Sequence, residues 1–96
     1  MELFIFARFH ARPGNEAAVE QSILEVIAPT SEEDGCLSVH AFRSTRNPAL
    51  FYIHSRWVNE EAFEIHIGLP HTVDFIARVE PLIDHAFDAT RTEMIG

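Results

Sequence analysis

The residues from Met1 to Arg12 form a strand pattern with apolar groups on both sides. Leu3, Ile5, Ala7 and Phe9 share one face, while Phe4 and Phe6 open the other before Arg8 and His10. A two-sided strand belongs in the middle of a sheet and needs cover on both faces, at least over its first half. Everything downstream must supply that cover.

The rest of the chain is punctuated into further segments. Pro13-Gly14-Asn15 is a turn. Glu16 to Ala28 has helical periodicity, with Val19, Ile23, Val26 and Ile27 on one stripe and Leu24 at its margin. Pro29 is expected to end that helix, because proline disfavours the α conformation in the residue before it. After a polar connection from Thr30 to Gly35, a second strand spans Cys36 to Thr45, with Leu37, Val39, Ala41 and Arg43 opposed to Ser38, His40 and Phe42. Asn47-Pro48 marks a turn, and Leu50 to Val58 alternates again. Phe51, Ile53, Ser55 and Trp57 lie on one face, and Tyr52, His54 and Arg56 on the other. Strands two and three are expected to pair as a hairpin.

Asn59 can cap a helix through its side-chain oxygen, and Glu60 and Glu61 suit the first turn, where the helix dipole favours negative charge. Ala62, Phe63 and His66 recur at helical spacing. The chain bends at Gly68-Leu69-Pro70, and Pro70 opens another helix as a first-turn residue. His71 to Val79 continues it, with Val73, Ile76 and Val79 aligned and Phe75 adjacent. Pro81 breaks that helix or starts a short turn, and Ala86 to Ile95 is a fourth strand.

The order β-α-β-β-α-β with right-handed crossovers defines an α+β, ferredoxin-like fold: a four-stranded antiparallel sheet with helices on one face. The helices cover one face only, yet Phe4, Phe6, Phe42 and Tyr52 load the other. A second copy of the sheet is the simplest cover, so a homodimer is expected. The 96 residues make one domain. A chain of that length buries only roughly 65% of its unfolded surface and gains from association.

Seven basic against fifteen acidic residues give a net charge of −8, which disfavours nucleic acid and anionic membrane as partners. The single cysteine, Cys36, allows neither an intrachain disulfide nor a cysteine-rich metal site. Glu2 stands before a short apolar run without a basic lead, so no signal peptide is read, and a cytoplasmic location is expected. His66 is either a hydrogen-bonded structural residue or a base, since imidazole titrates near neutrality. His71 either bonds a backbone carbonyl at the bend or faces a ligand. Trp57 is a core ring whose N–H needs a partner, which is compatible with lining a pocket. His66 and His71 are five apart with Pro70 between them, and no His–carboxylate pair is evident in the spacing. A metal is therefore not expected.

Several of these segments together resemble a known family. They are Arg12-Pro13-Gly14, Glu33-Asp34-Gly35-Cys36, Asn47-Pro48, the strand closing on Trp57, and Ala62-Phe63-x-x-His66 followed by Pro70-His71. The chain resembles the antibiotic biosynthesis monooxygenase domain over essentially its whole length. The resemblance implies a dimeric α/β barrel with a pocket between sheet and helices near Trp57, Phe63, His66 and His71. It implies that a small quinol or polyketide-like hydroxyaromatic is oxidised by dioxygen without metal, flavin or haem. His66 would then be the base, His71 a donor to the substrate oxygen, and Trp57, Phe63 and Phe75 the walls. The family also contains isomerases acting on small metabolites, haem-degrading enzymes and members without known activity. An isomerase of a small polar metabolite, with or without a phosphate, would need cationic side chains, for which Arg8, Arg43 and Arg78 are the candidates. A non-catalytic dimeric ligand-binding domain is the third alternative. Two departures matter. Ser55 stands where the family often has a glutamate two residues before the tryptophan. Ala7 and Ile76 occupy the places aligned with the asparagine and histidine of the haem-degrading branch, so iron would lack its axial ligand.

Overall fold

In the computed structural model, which describes all 96 residues, the first strand β1 (Leu3–His10) sits inside the sheet, as its two-sided pattern requires. It is flanked by β3 (Leu50–Trp57) and β4 (Asp88–Thr92), and β2 (Cys36–Arg43) lies beyond β3, giving the antiparallel order β2-β3-β1-β4. The β2–β3 pair is the expected hairpin. Helices α1 (Glu16–Ser31), α2 (Glu60–Ile67) and α3 (Pro70–Val79) and a short 3₁₀ turn (Glu80–Leu82) complete the α+β, ferredoxin-like fold. The inward faces of β1 and β3 form the floor of the core. Ile5, Ala7, Phe9, Phe51, Ser55 and Trp57 are all buried there, while Phe6 and Arg8 are exposed on the opposite face.

Four boundaries or faces differ from the sequence reading. Helix α1 does not stop at Ala28 but runs through Pro29 to Ser31. The lost N–H of Pro29 is tolerated because the following turn is held on both sides. Thr30 is buried, and the Ser31 hydroxyl donates to the Ala28 carbonyl at 2.7 Å. In β2 a bulge places Cys36 opposite Trp57 and Ser38 opposite Arg56, so Leu37 is the extra residue and is exposed rather than sharing the face of Val39. In α3 the buried stripe is Thr72, Phe75 and Val79, and Val73 faces solvent. Strand β4 covers only Asp88–Thr92 of the expected Ala86–Ile95.

Gly35 brings the α1–β2 turn onto the start of α2. Its φ of +86° lies in the left-handed region, and a Cβ there would come within 2.7 Å of the Ala62 Cβ and 3.0 Å of the Val58 Cγ1. The Val58 N–H donates to the Gly35 carbonyl at 2.8 Å, which ties the turn to the end of β3. This close approach carries Glu33, two residues upstream, to the C-terminal end of α2.

Candidate active site

Helix α2 begins where Asn59 accepts from the Ala62 N–H at 2.9 Å, the cap its sequence promised, and ends at Gly68. Leu69 is extended, as a residue before proline prefers, and Pro70 starts α3. The bend sets His66, in the last turn of α2, against His71, in the first turn of α3, with ring centroids 6.2 Å apart.

Both imidazoles converge on one carboxylate oxygen. His66 Nδ1 lies 2.7 Å and His71 Nε2 2.6 Å from Glu33 Oε2. The Glu33 side chain is 7% exposed, that of His66 12% and that of His71 28%. A carboxylate this deep needs its lone pairs filled, and two imidazole N–H groups fill them. With the His66 Nδ1–H donated to Glu33, Nε2 retains the lone pair. The Thr72 hydroxyl sits 3.3 Å from the same Nδ1. Burial holds the His66 pKa below the ordinary imidazole range. It outweighs the opposing pull of Glu33, whose hydrogen bond and charge favour the protonated ring.

Beside His66 a cavity of about 100 Å³ opens between sheet and helices. His66, Phe63, Phe75 and Ile76 line its helical side, and Ala7, Ile53 and Ser55 its sheet side. Most of the wall is apolar. Thr30 is the exception of interest, since its hydroxyl is buried in the wall without a hydrogen-bond partner. Of the five residues singled out from sequence, His66, Phe63 and Phe75 stand in the cavity wall. Trp57 is fully buried behind it, its ring 4.7 Å from that of His66 and 5.7 Å from that of Phe63. Its indole N–H donates to the Ser55 hydroxyl at 3.0 Å, so Ser55 supplies the partner the tryptophan needs. His71 is outside the wall and reaches the site through Glu33.

Sequence reasoning assigned no role to Glu33 or Thr30. Glu33 was visible only as part of the Glu33-Asp34-Gly35-Cys36 segment, and its partners lie 33 and 38 residues away. Cys36 is partly buried, and its thiol is pushed up first by burial and then by the nearby Glu33 charge, which suits an inert packing role. His54 and Arg56 lie on the far side of the sheet, where His54 packs against Phe6 with ring centroids 4.7 Å apart.

The fold and the site together are those of a small α+β domain with an imidazole in the wall of an apolar hollow. Residues 3–78 match the antibiotic biosynthesis monooxygenase family, and the chain belongs to that family. The chain is 32% identical over 79 residues to the Mycobacterium tuberculosis protein named "Putative monooxygenase Rv0793", covering 82% of this chain and 77% of the relative. The solved structure of Rv0793 superposes with a TM-score of 0.94 at 26% identity, covering 100% of this chain and 97% of that one. The Pseudomonas aeruginosa protein PA3566 superposes with a TM-score of 0.91 at 25% identity, covering 99% and 95%. No helix is long and apolar enough to cross a membrane.

Proposed function

We propose that this chain is a monooxygenase that uses dioxygen on a small hydroxyaromatic substrate, a quinol or polyketide-like ring, with His66 as the base. The observation that carries the reading is the His66 ring itself. It stands in the wall of an apolar cavity, is locked through Nδ1 to Glu33, and keeps Nε2 free. Removing a phenolic proton leaves an electron-rich anion able to reduce dioxygen. One oxygen atom then enters the ring carbon, the other leaves as water, and the substrate supplies all the electrons. Dry apolar walls protect the reactive anion, and the Thr30 hydroxyl is a donor for its oxygen. His71 acts through Glu33 rather than on substrate.

The isomerase reading is less well supported, because no arginine lines the cavity. Arg43 is paired with Glu20, and Arg78 with Glu25 and Asp74, all on the surface. The cavity is also smaller than the cavity of about 150 Å³ known to accept benzene. Even a single-ring substrate must therefore widen the hollow to enter, and a fused polycyclic one must widen it further.

Oxygen uptake over a panel of one-ring and two-ring quinols tests the proposal. Thr30→Val is the informative variant, since it keeps shape and removes the hydroxyl. It should lower kcat/KM about tenfold, the worth of one hydrogen bond to a charged oxygen, with the melting temperature unchanged or raised. Equal kcat/KM in Thr30→Val and the parent chain would remove Thr30 from the site. Absence of uptake across the panel would remove the oxygenase reading.

The active form in this proposal is a homodimer. Phe6 and Phe42 are 51% and 54% exposed on the sheet face that no helix covers, with Phe4, Tyr52 and His54 between or beside them. A second sheet would bury this face. Sedimentation should give twice the chain mass for the parent protein and a shift to monomer for the double variant Phe6→Glu, Phe42→Glu. A parent chain sedimenting as a monomer at high concentration would refute the dimer.

A further inference from the structure

We infer that Glu33, His66 and His71 form a binding site for a divalent transition metal, and that filling it switches off the base assigned above. The three side chains present His66 Nδ1, His71 Nε2 and a Glu33 carboxylate oxygen, all within 4.8 Å of one another. Two imidazoles and one carboxylate are a recurrent donor set for zinc and its neighbours. Ligand atoms bound to zinc at about 2.0–2.1 Å lie roughly 3.3 Å apart in a tetrahedron. The His–carboxylate separations of 2.7 and 2.6 Å need to open by about 0.6–0.7 Å to reach that geometry. The two imidazole nitrogens, within 4.8 Å of each other, need to close toward it by rotation of the side chains. The donors come from three places, the α1–β2 turn, the end of α2 and the start of α3, so the fold holds the cluster without help from the metal. His71 is the most exposed of the three, which leaves one side open for water to complete the coordination. The net charge of −8 further favours cation capture.

The consequence follows from the tautomer. A metal on His66 Nδ1 takes the lone pair on that nitrogen, so the proton of the neutral ring moves to Nε2. His71 likewise shifts its proton to Nδ1. No electron changes hands. Nε2, the ring nitrogen not bonded to Glu33, is then an N–H donor and cannot accept a proton from substrate. Metal binding thus opposes turnover even though the ion lies on the Glu33 side of the ring.

The second half of this inference rests on the proposed function; the first does not, and the test keeps them apart. Zn²⁺ titrated into the full chain by calorimetry should bind one per chain in the micromolar range. Co²⁺ in its place should show the visible bands of a low-coordinate site. Glu33→Gln and His71→Ala should each weaken Zn²⁺ binding more than roughly tenfold, since even loss of an outer partner costs that much. His10, Asp84 and His85 form a second histidine–carboxylate contact on the surface, so His10→Ala serves as the control and should leave binding unchanged. Binding lost in His10→Ala but kept in Glu33→Gln and His71→Ala would overturn the site. No binding below millimolar Zn²⁺ would also overturn it. Where the oxygen-uptake assay gives turnover, stoichiometric Zn²⁺ should suppress it in the parent chain; undiminished turnover with the site filled would overturn the switch alone.

Discussion

His66→Ala should lower oxygen-coupled kcat/KM by about 10² to 10⁴, the range for removal of a positioned general base, while the fold persists. The fold should persist because Glu33 keeps its bond from His71 when His66 is truncated. The pH profile of the parent enzyme carries the same information from another side. Protonation of His66 removes the lone pair, so kcat/KM should fall as pH drops through the His66 pKa. Burial places that acid limb below the ordinary imidazole range. Glu33 opposes the shift, so Glu33→Gln should move the limb further to acid. Stability obeys a related sign rule. The fold favours neutral His66, so this contribution is complete above the unfolded imidazole pKa of about 6.5. It declines as pH falls from there toward the depressed folded value. Turnover in His66→Ala equal to the parent would sink the assigned role, whatever the pH data.

The sheet was legible because alternation is a local signal and both central strands obey it. Phe51, Ser55 and Trp57 were placed on one face from parity alone, and all three are buried. The errors arise where one residue breaks the period. The bulge at Leu37 adds a residue to β2, which throws Leu37 outward while Cys36 turns inward toward Trp57. Val73 lies one position past Thr72, and a polar threonine won the buried place because it meets His66 in the bend. The two histidines could be found from the apolar stripe and the proline bend. Their carboxylate partner could not. Glu33 reaches them only because a left-handed Gly35 lets the α1–β2 turn press against Ala62, a contact that no spacing rule encodes. Thr30 was hidden for a related reason, since Pro29 reads as a helix stop and the residue after it reads as a loop.

Trp57→Ala should be the most destabilising single change in the chain, at about 3–5 kcal/mol for a buried aromatic reduced to alanine. Folded domains hold a margin of only about 5–15 kcal/mol, so the variant should unfold at much lower urea or fail to accumulate. Three losses combine. The ring is fully buried, its contact with Phe63 closes the smaller core cluster with Ile5, and the Ser55 hydroxyl loses the N–H that it accepts. Trp57→Phe separates these terms, because it keeps a ring and removes the indole donor. It should cost less than Trp57→Ala, with part of the loss coming from the unpaired serine. The same pair of variants also distinguishes packing from catalysis. Trp57 stands behind His66 rather than in the cavity wall, so it acts on turnover by fixing the imidazole plane. Trp57→Phe should therefore lower kcat more than it raises KM. A variant that raised KM alone would instead place the indole in contact with substrate.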